Sequence, residues 1–415
     1  MSRTEVIRGV EHHLRKAVHR QLVSDVPVGA FLSGGLDSSA VVAFARELNP
    51  ELRCFTIELS GVGEEGFVDD LPYARRVASH LDVPLDVVQV DAARMASCLE
   101  EMVWQLDEPL ADPAPLNVLF ISQLARDCGI KVLLSGAGGD DLFSGYRRHI
   151  ALETERLWRW LPRRQRILLR QISALFPGKR PLARRLRKAF SGAHLEGDAR
   201  LVHYFRWIER ADLYGLFTPA FRAALDQSHA EKPMLDFLAE LPDETSDLER
   251  MLSLEQRFFL VDHNLTYTDK MSMAVGVEVR VPFLDLELVQ YAAGIPSTLK
   301  LRNREPKWVL KKALESYLPY DVIYRPKSGF GAPLRRWLRV ELRDWLDDIL
   351  SSQSLKKRGL FDVQAVHQLI ALNAEGRIDA SYTLLSLACI ELWCRFHIDQ
   401  ETHNSFKGCL SGAQS

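Results

Sequence analysis

The chain has 415 residues, 47% of them hydrophobic and 26% charged, with a formal net charge of -2. This is enough chain for two or three domains or one large two-part enzyme, with an ordinary globular balance of core and surface. A near-neutral balance excludes general attraction to nucleic acid or anionic membrane, so any nucleotide is expected as a small ligand and nucleic acid is not expected as a partner.

The opening stretch, MSRTEVIRGVEHHLRKAVHRQL, lacks an apolar signal core and reads as an amphipathic helix. No run of eighteen apolar residues follows. The nearest candidate, 382–396, is interrupted by Glu391 and Arg395 and is expected as a buried helix rather than a membrane span. The six cysteines, Cys54, Cys98, Cys128, Cys389, Cys394 and Cys409, are scattered without a CxxC pair and read as buried free thiols. A cytoplasmic location is the expectation.

Residues Val28 to Leu32 form a short apolar run that predicts a buried strand, and Ser33 to Ser39, SGGLDSS, have the wrong composition for a core. Helical spacing resumes after them, which gives strand, glycine-rich turn, helix. Such a turn points unpaired N–H groups and the positive end of a helix dipole at one place, a ready site for phosphate. Ser33, Ser38 and Ser39 add hydroxyls, and Asp37 adds a carboxylate able to hold Mg2+ against phosphate oxygens. The Gly-Lys-Ser/Thr ending of a Walker loop is missing. The seven residues resemble instead the pyrophosphate loop of the adenylating ATP hydrolases, SGGxDSS, which implies cleavage between the α and β phosphates.

Strand and helix patterns then alternate to Leu134: helix 38–48, strand LRCFTIEL, helix 71–81, strand LDVVQV, helices 92–104 and 116–127, and strand IKVLLSG. This predicts a parallel doubly wound α/β sheet with its ligand crevice at the carboxyl ends of the strands. The loop after Leu134, SGAGGDDLFSGYRRH, is a second glycine-rich turn. Its Asp140 is expected to share a magnesium ion with Asp37, and Asp141 stands beside it.

From about Trp158 to Lys188 the chain turns arginine-rich with interleaved apolar residues. An acidic partner or lipid headgroups can be matched to it, but a solvated helical face is the favoured reading. Residues 199–262 read as helices, so the second half is expected to be mainly α. Three further stretches are unusual for a plain helical domain: YTDKMSMAVGVEVRVPFLD with Lys270 and Glu278, EPKWVLKKAL with Lys307, and YRPKSGFGAP with Lys327 in a Pro/Gly-rich loop.

Five motifs in order, VPVGAFLSGGLDSS, CFTIEL, LSGAGGDDLFSGY, DKMSMAVGVEVRVPFLD and RPKSGFGAPLRRWL, resemble the synthetase half of class B asparagine synthetase and of its relative β-lactam synthetase. The resemblance implies a pyrophosphate-loop fold, of the adenine nucleotide α-hydrolase-like type. It places an asparagine synthetase-type domain over 1–395, with a sheet core near 24–150, a mainly helical part near 151–395 and a tail over 396–415. It implies that Leu32 and Ile57 frame the adenine, that Ser33, Gly34, Gly35, Asp37, Ser38 and Ser39 hold pyrophosphate, and that Ser135 and Gly136 lie against the ribose and α phosphate. Asp37 and Asp140 would bind Mg2+. Lys327 and Lys270 would stabilise charge on the phosphates, and Glu278 would orient its neighbours.

The implied reaction is ATP-dependent amide formation: a carboxylate, aspartate-like, is adenylated with release of pyrophosphate, and ammonia or an amine then releases AMP. Two departures bear on this. Ser2 follows Met1 where the family's glutaminase domain begins with a nucleophilic cysteine, so free ammonia, an amine or a separate glutaminase subunit is expected as nitrogen source, or else the chain is a truncated one. Ala137 stands where family members carry glutamate or tyrosine and cannot take a proton; either Asp141 or Glu278 substitutes or the attacking group arrives already neutral. An amide ligase or amidotransferase of specialised metabolism or cell-surface glycan modification is therefore the alternative, and a nucleotide-binding regulatory subunit the non-enzymatic one.

Overall fold

The computed structural model describes residues 2–59, 69–175, 187, 189–225, 230–326 and 334–400. The chain opens with α1 (Arg3–Gln21), whose start is set by a reciprocal pair: Ser2 Oγ accepts from the Glu5 N–H and Glu5 accepts from the Ser2 N–H. Its buried Val6, Val10, Leu14 and Ala17 recur every three or four residues, so one stripe is apolar and faces the protein.

Alternation then follows: β1 (Val28–Phe31), α2 (Leu36–Ala45), β2 (Cys54–Leu59), α3 (Leu71–Leu81), β3 (Leu85–Val90), α4 (Ala92–Ser97), α5 (Leu99–Leu106), α6 (Ala114–Asp127) and β4 (Val132–Leu134). The four strands and α3 stand where the periodicity places them. The helix expected over 92–104 is two helices, broken at Cys98, whose φ of -104° and ψ of -1° interrupt the helical path.

All pairings in the main sheet are parallel, and the strand order is β3-β2-β1-β4-β5. The fifth strand, β5 (Glu278–Arg280), lies in the mainly helical second half, in one of the stretches unusual for a plain helical domain, so that half of the chain completes the sheet. Strand order runs outward from β1 in one direction and resumes on its other side at β4. The reversal between β1 and β4 is where ligands bind in open α/β sheets.

Residues alternate between the two faces with the period of two that a strand imposes. Val28, Ala30, Leu32, Val132 and Leu134 face one core with α1, α2 and α3. To the same core come α13 (Leu286–Ala293) and α14 (Trp308–Leu314). Phe55, Val88 and Leu133 face the other, with α5, α6, Met271 of α12 (Thr266–Met273) and Leu384 to Leu392 of α15 (Ser381–Trp393). The expected buried C-terminal helix is thus present, and Glu391 within it is held by Arg358 and Arg395.

A smaller core joins α8 (Arg147–Glu155), α10 (Gly197–His203) and α11 (Asp247–Leu254). A π-helix over Glu255–Leu265 continues from α11 into α12. Between α8 and α10 runs α9 (Arg163–Leu175). Cys54, Cys128, Cys389 and Cys394 are free thiols as expected, whereas Cys98 is in a disulfide.

Candidate active site

The first glycine loop leaves the sheet at the switch point. The Leu32 N–H still donates to the Phe55 carbonyl at 2.9 Å, and the chain then turns through Ser33, Gly34 and Gly35 into α2. Gly34 has φ +66°, and a Cβ there would sit 2.4 Å from the Ala74 nitrogen, so α3 backs the loop too closely for any side chain. Gly35 caps α2 without a side chain, which leaves the first-turn N–H groups for a ligand. Ser33 Oγ and Ser38 Oγ lie 3.1 Å apart, and the Gly35 N–H donates to Ser33 Oγ at 3.3 Å. Ser39 is fully buried, and its hydroxyl has no partner among the described residues.

The second glycine loop touches the first, backbone against backbone. A Cβ on Gly136 would lie 2.6 Å from the Ser38 nitrogen, and one on Gly139 would lie 2.5 Å from Asp37 Oδ1. The Ser135 N–H donates to the Arg280 carbonyl at 2.8 Å, which anchors this loop to β5. The short helix α7 (Gly139–Phe143) then begins with Asp140 and Asp141 in its first turn.

Asp37 and Asp140 meet on one ammonium. Lys307, at the head of α14, pairs with Asp37 and lies 2.6 Å from Asp140 Oδ1. Burial pushes the Lys307 pKa down, but the two carboxylates outweigh it and the net shift is upward, so the lysine is charged. Gly145 makes room for this triad: a Cβ there would lie 1.7 Å from Asp140 Oδ1 and 2.2 Å from Lys307 Cε.

A second cation sits at the first loop. The side chain of Arg325 is buried over the Tyr73 ring, 4.4 Å from its centroid, with Nη2 donating to Asp70 at 2.9 Å. Its Nη1 has no partner among the described residues, and Nη2 would lie 3.8 Å from a Cβ on Gly35. A buried, unpaired guanidinium nitrogen beside an uncapped helix start calls for an anion. The Asp37 and Asp140 carboxylates are a hard-oxygen pair already gathered about a cation, which fits Mg2+. Among the described residues no cluster of three or more His, Cys, Asp or Glu side chains forms a metal site, so phosphate oxygens would have to complete the shell.

The crevice continues toward β2, which outruns β1. Register pairs Phe31 with Phe55 and goes no further, so from Thr56 through Ile57 the edge of β2 facing β1 has no strand beside it among the described residues. That open edge, with half-buried Ile57, suits the hydrogen-bonding edge of a flat base. On the other side the π-helix supplies a polar roof. Asp141 accepts from the Tyr146 hydroxyl at 3.2 Å, Asn264 Nδ2 donates to that hydroxyl at 3.1 Å, and Gln256 donates to the Asp141 carbonyl. Behind them Arg148 and His149 hold the fully buried Glu255. His263 lies 3.3 Å from Asp112; burial lowers its pKa, but the bond to Asp112 outweighs it, with a net rise.

The structure therefore brings together Leu32, Ser33, Gly34, Gly35, Asp37, Ser38, Ser39, Ser135, Gly136 and Asp140, with Ile57 at the open edge beside them. It does not bring in the other two expected residues it describes. Lys270 pairs with Asp107, in the connection between α5 and α6. Glu278 opens β5 opposite Val132, two residues short of the rim, and accepts from Arg280 Nε at 2.7 Å. Neither Glu278 nor Asp141, which is committed to Tyr146, stands free to do what Ala137 cannot. Lys327 lies outside the described residues. Lys307 and Arg325 are the additions. Each stands in a motif singled out by composition, but its acidic partner lies 270 or 255 residues away and leaves no local signal.

Comparison with known proteins agrees with this geometry. The family model described as asparagine synthase matches residues 9–395. A Mycobacterium tuberculosis protein provisionally named a glutamine-hydrolyzing asparagine synthetase is 33% identical over 388 residues, covering 92% of this chain and 56% of its own length. The glutamine-hydrolyzing asparagine synthetase 1 of Bacillus subtilis is 28% identical over 402 residues, covering 95% of this chain and 60% of its own. A Penicillium rubens protein named amidase chyE is 25% identical over 399 residues, covering 89% and 58%. The chain thus spans little more than half the length of these relatives.

Proposed function

The chain belongs to the asparagine synthase family, and from that premise we propose that it uses ATP to join a carboxylate to ammonia or an amine. The observation that carries the reading is the contact of two glycine loops at the sheet's switch point, with Asp37, Lys307 and Asp140 gathered between them. The nucleotide lies with its base along the open edge of β2 near Ile57 and its terminal phosphates on the first turn of α2, where Ser33, Ser38 and Arg325 supply donors. A carboxylate oxygen of the substrate attacks the α phosphorus, the bond to the bridging oxygen breaks, and pyrophosphate leaves with that electron pair. The nitrogen donor then attacks the acyl carbon of the mixed anhydride, AMP departs and the amide remains.

Mg2+, when bound, would be held by Asp37 and Asp140 with phosphate oxygens and would draw charge from the departing pyrophosphate. Lys307 keeps the two carboxylates gathered at the crevice. The π-helix and Tyr146 cover the second loop and limit water that would hydrolyse the acyl adenylate. An aspartate-like carboxylate is the first substrate to test, with free ammonia, an amine or a separate glutaminase subunit as nitrogen source.

Ala137 favours one second reading. With no acid there, and with Asp141 and Glu278 each paired, the nitrogen donor would arrive neutral, as in an amide ligase or amidotransferase acting on a different carboxylate. Exchange of labelled pyrophosphate into ATP, scanned over aspartate and other carboxylates, tests both. Exchange with aspartate supports the first reading, and exchange only with another acid supports the second. Turnover yielding ADP and orthophosphate, or no exchange with any acid, overturns both.

A further inference from the structure

We propose that α9 and the turn before it form a docking surface for an anionic lipid bilayer. Two polar side chains of this helix point into the protein while part of its apolar set points out. Arg166 and Ser173 are buried, and Arg166 is held by the Leu161 carbonyl at 3.0 Å, the Ala193 carbonyl at 3.0 Å and Glu196. Its apolar side faces out: Leu168, Ile172 and Leu175, spaced by four and three residues, are 54%, 45% and 83% exposed. Trp160, at 76%, and Leu157 extend the stripe through the preceding turn. A helix serving only a soluble core would bury Leu168, Ile172 and Leu175, and contiguous apolar patches of this kind mark interaction sites. The solvated face favoured from composition accounts for the exposed Arg163, Arg164, Gln165 and Gln171 but not for the apolar stripe beside them.

Charge selects the occupant. Arg163 and Arg164 are exposed at the amino end of the stripe, and the helix Arg163–Leu175 holds four arginines and no Asp or Glu, in a chain of net charge -2. An acidic protein matches the arginines but offers nothing to a row of Leu, Ile and Trp side chains. An anionic lipid surface matches both: the apolar side chains enter the acyl boundary while the guanidinium groups stay level with the headgroups and Trp160 lies between. No helix among the described residues is long and apolar enough to cross a membrane, so the attachment is to the surface.

Sedimentation of the full chain with vesicles tests this. It should pellet with phosphatidylcholine vesicles containing phosphatidylglycerol and not with phosphatidylcholine alone, and added salt should release it. Leu168→Glu with Ile172→Glu should weaken pelleting by about tenfold or more while the melting temperature and pyrophosphate exchange stay unchanged, and Arg163→Gln with Arg164→Gln should also weaken it. Four outcomes overturn the proposal: no pelleting, equal pelleting on both vesicles, a double glutamate variant that still pellets, or a solution dimer that this variant splits. The last would assign the face to a second copy of the chain.

Discussion

At the scale of single residues, Lys307 gives the sharpest test of the site. It is buried between Asp37 and Asp140, so Lys307→Met removes the ammonium that both carboxylates share. Removing one partner of such a group should cost about 3 kcal/mol or more. Calorimetry at neutral pH should show the lower melting temperature, and added Mg2+ should restore more of it in the variant than it adds to the wild type. Equal magnesium shifts in the two would remove the shared cation site. His263 makes a second residue-level case. Its pKa in the folded protein is raised, so the bond to Asp112 stabilises the fold fully below about pH 6.5 and that contribution is lost as pH rises through the folded value. The melting-temperature deficit of Asp112→Asn should therefore be largest in mild acid and shrink toward high pH; a deficit independent of pH would dissociate the pair from His263 titration.

At the scale of elements, the glycine loops depend on close approach as well as on backbone angle, and two glycines separate these causes. Gly34 has φ +66° and leaves only 2.4 Å between a Cβ at that position and the Ala74 nitrogen, while Gly359, capping the helix Ser352–Arg358, has φ +71° and nothing within 4 Å. Gly359→Ala should cost only the left-handed conformation, about 1 kcal/mol, and keep full activity. Gly34→Ala should cost much more and abolish pyrophosphate exchange, and similar melting curves for the two variants would contradict the packing described. The same elements show what the sequence discloses. The strands β1, β2 and β3 and the helix α3 are legible because parity and helical spacing act within a few residues of chain. β5 is harder to read: Val277 to Val281 alternate apolar and charged residues, but the run is short and lies in a mainly helical half, and the pairing with β4 that makes it a strand is a long-range event. Cys98 likewise breaks a helix that its flanking periodicity continues. In the site, Asp37 and Asp140 are readable from their glycine motifs, whereas Lys307 and Arg325 acquire meaning only from partners brought by the fold.

At the scale of the whole molecule, both halves of the chain build one crevice. β5 extends the sheet, α13 and α14 share a core with α1 and α2, and Lys307 completes the acidic pair. A cut between a sheet unit near 24–150 and a helical remainder is therefore not a cut between independent cores. Scanning calorimetry should give a single main transition, raised by MgATP through mass action, by about 2.7 kcal/mol when the ligand is a hundredfold above its Kd. Two well-separated transitions, with only the first moved by nucleotide, would mean that the halves melt apart.

The lysine tucked between two acids also bears on the order in which things arrive. A resting protein whose acidic pair already holds an ammonium has less appetite for bare divalent ions in solution. Metal and nucleotide should then enter as one package, trading an internal counter-charge for an imported one, and a chelator added to the resting protein should find almost nothing to strip.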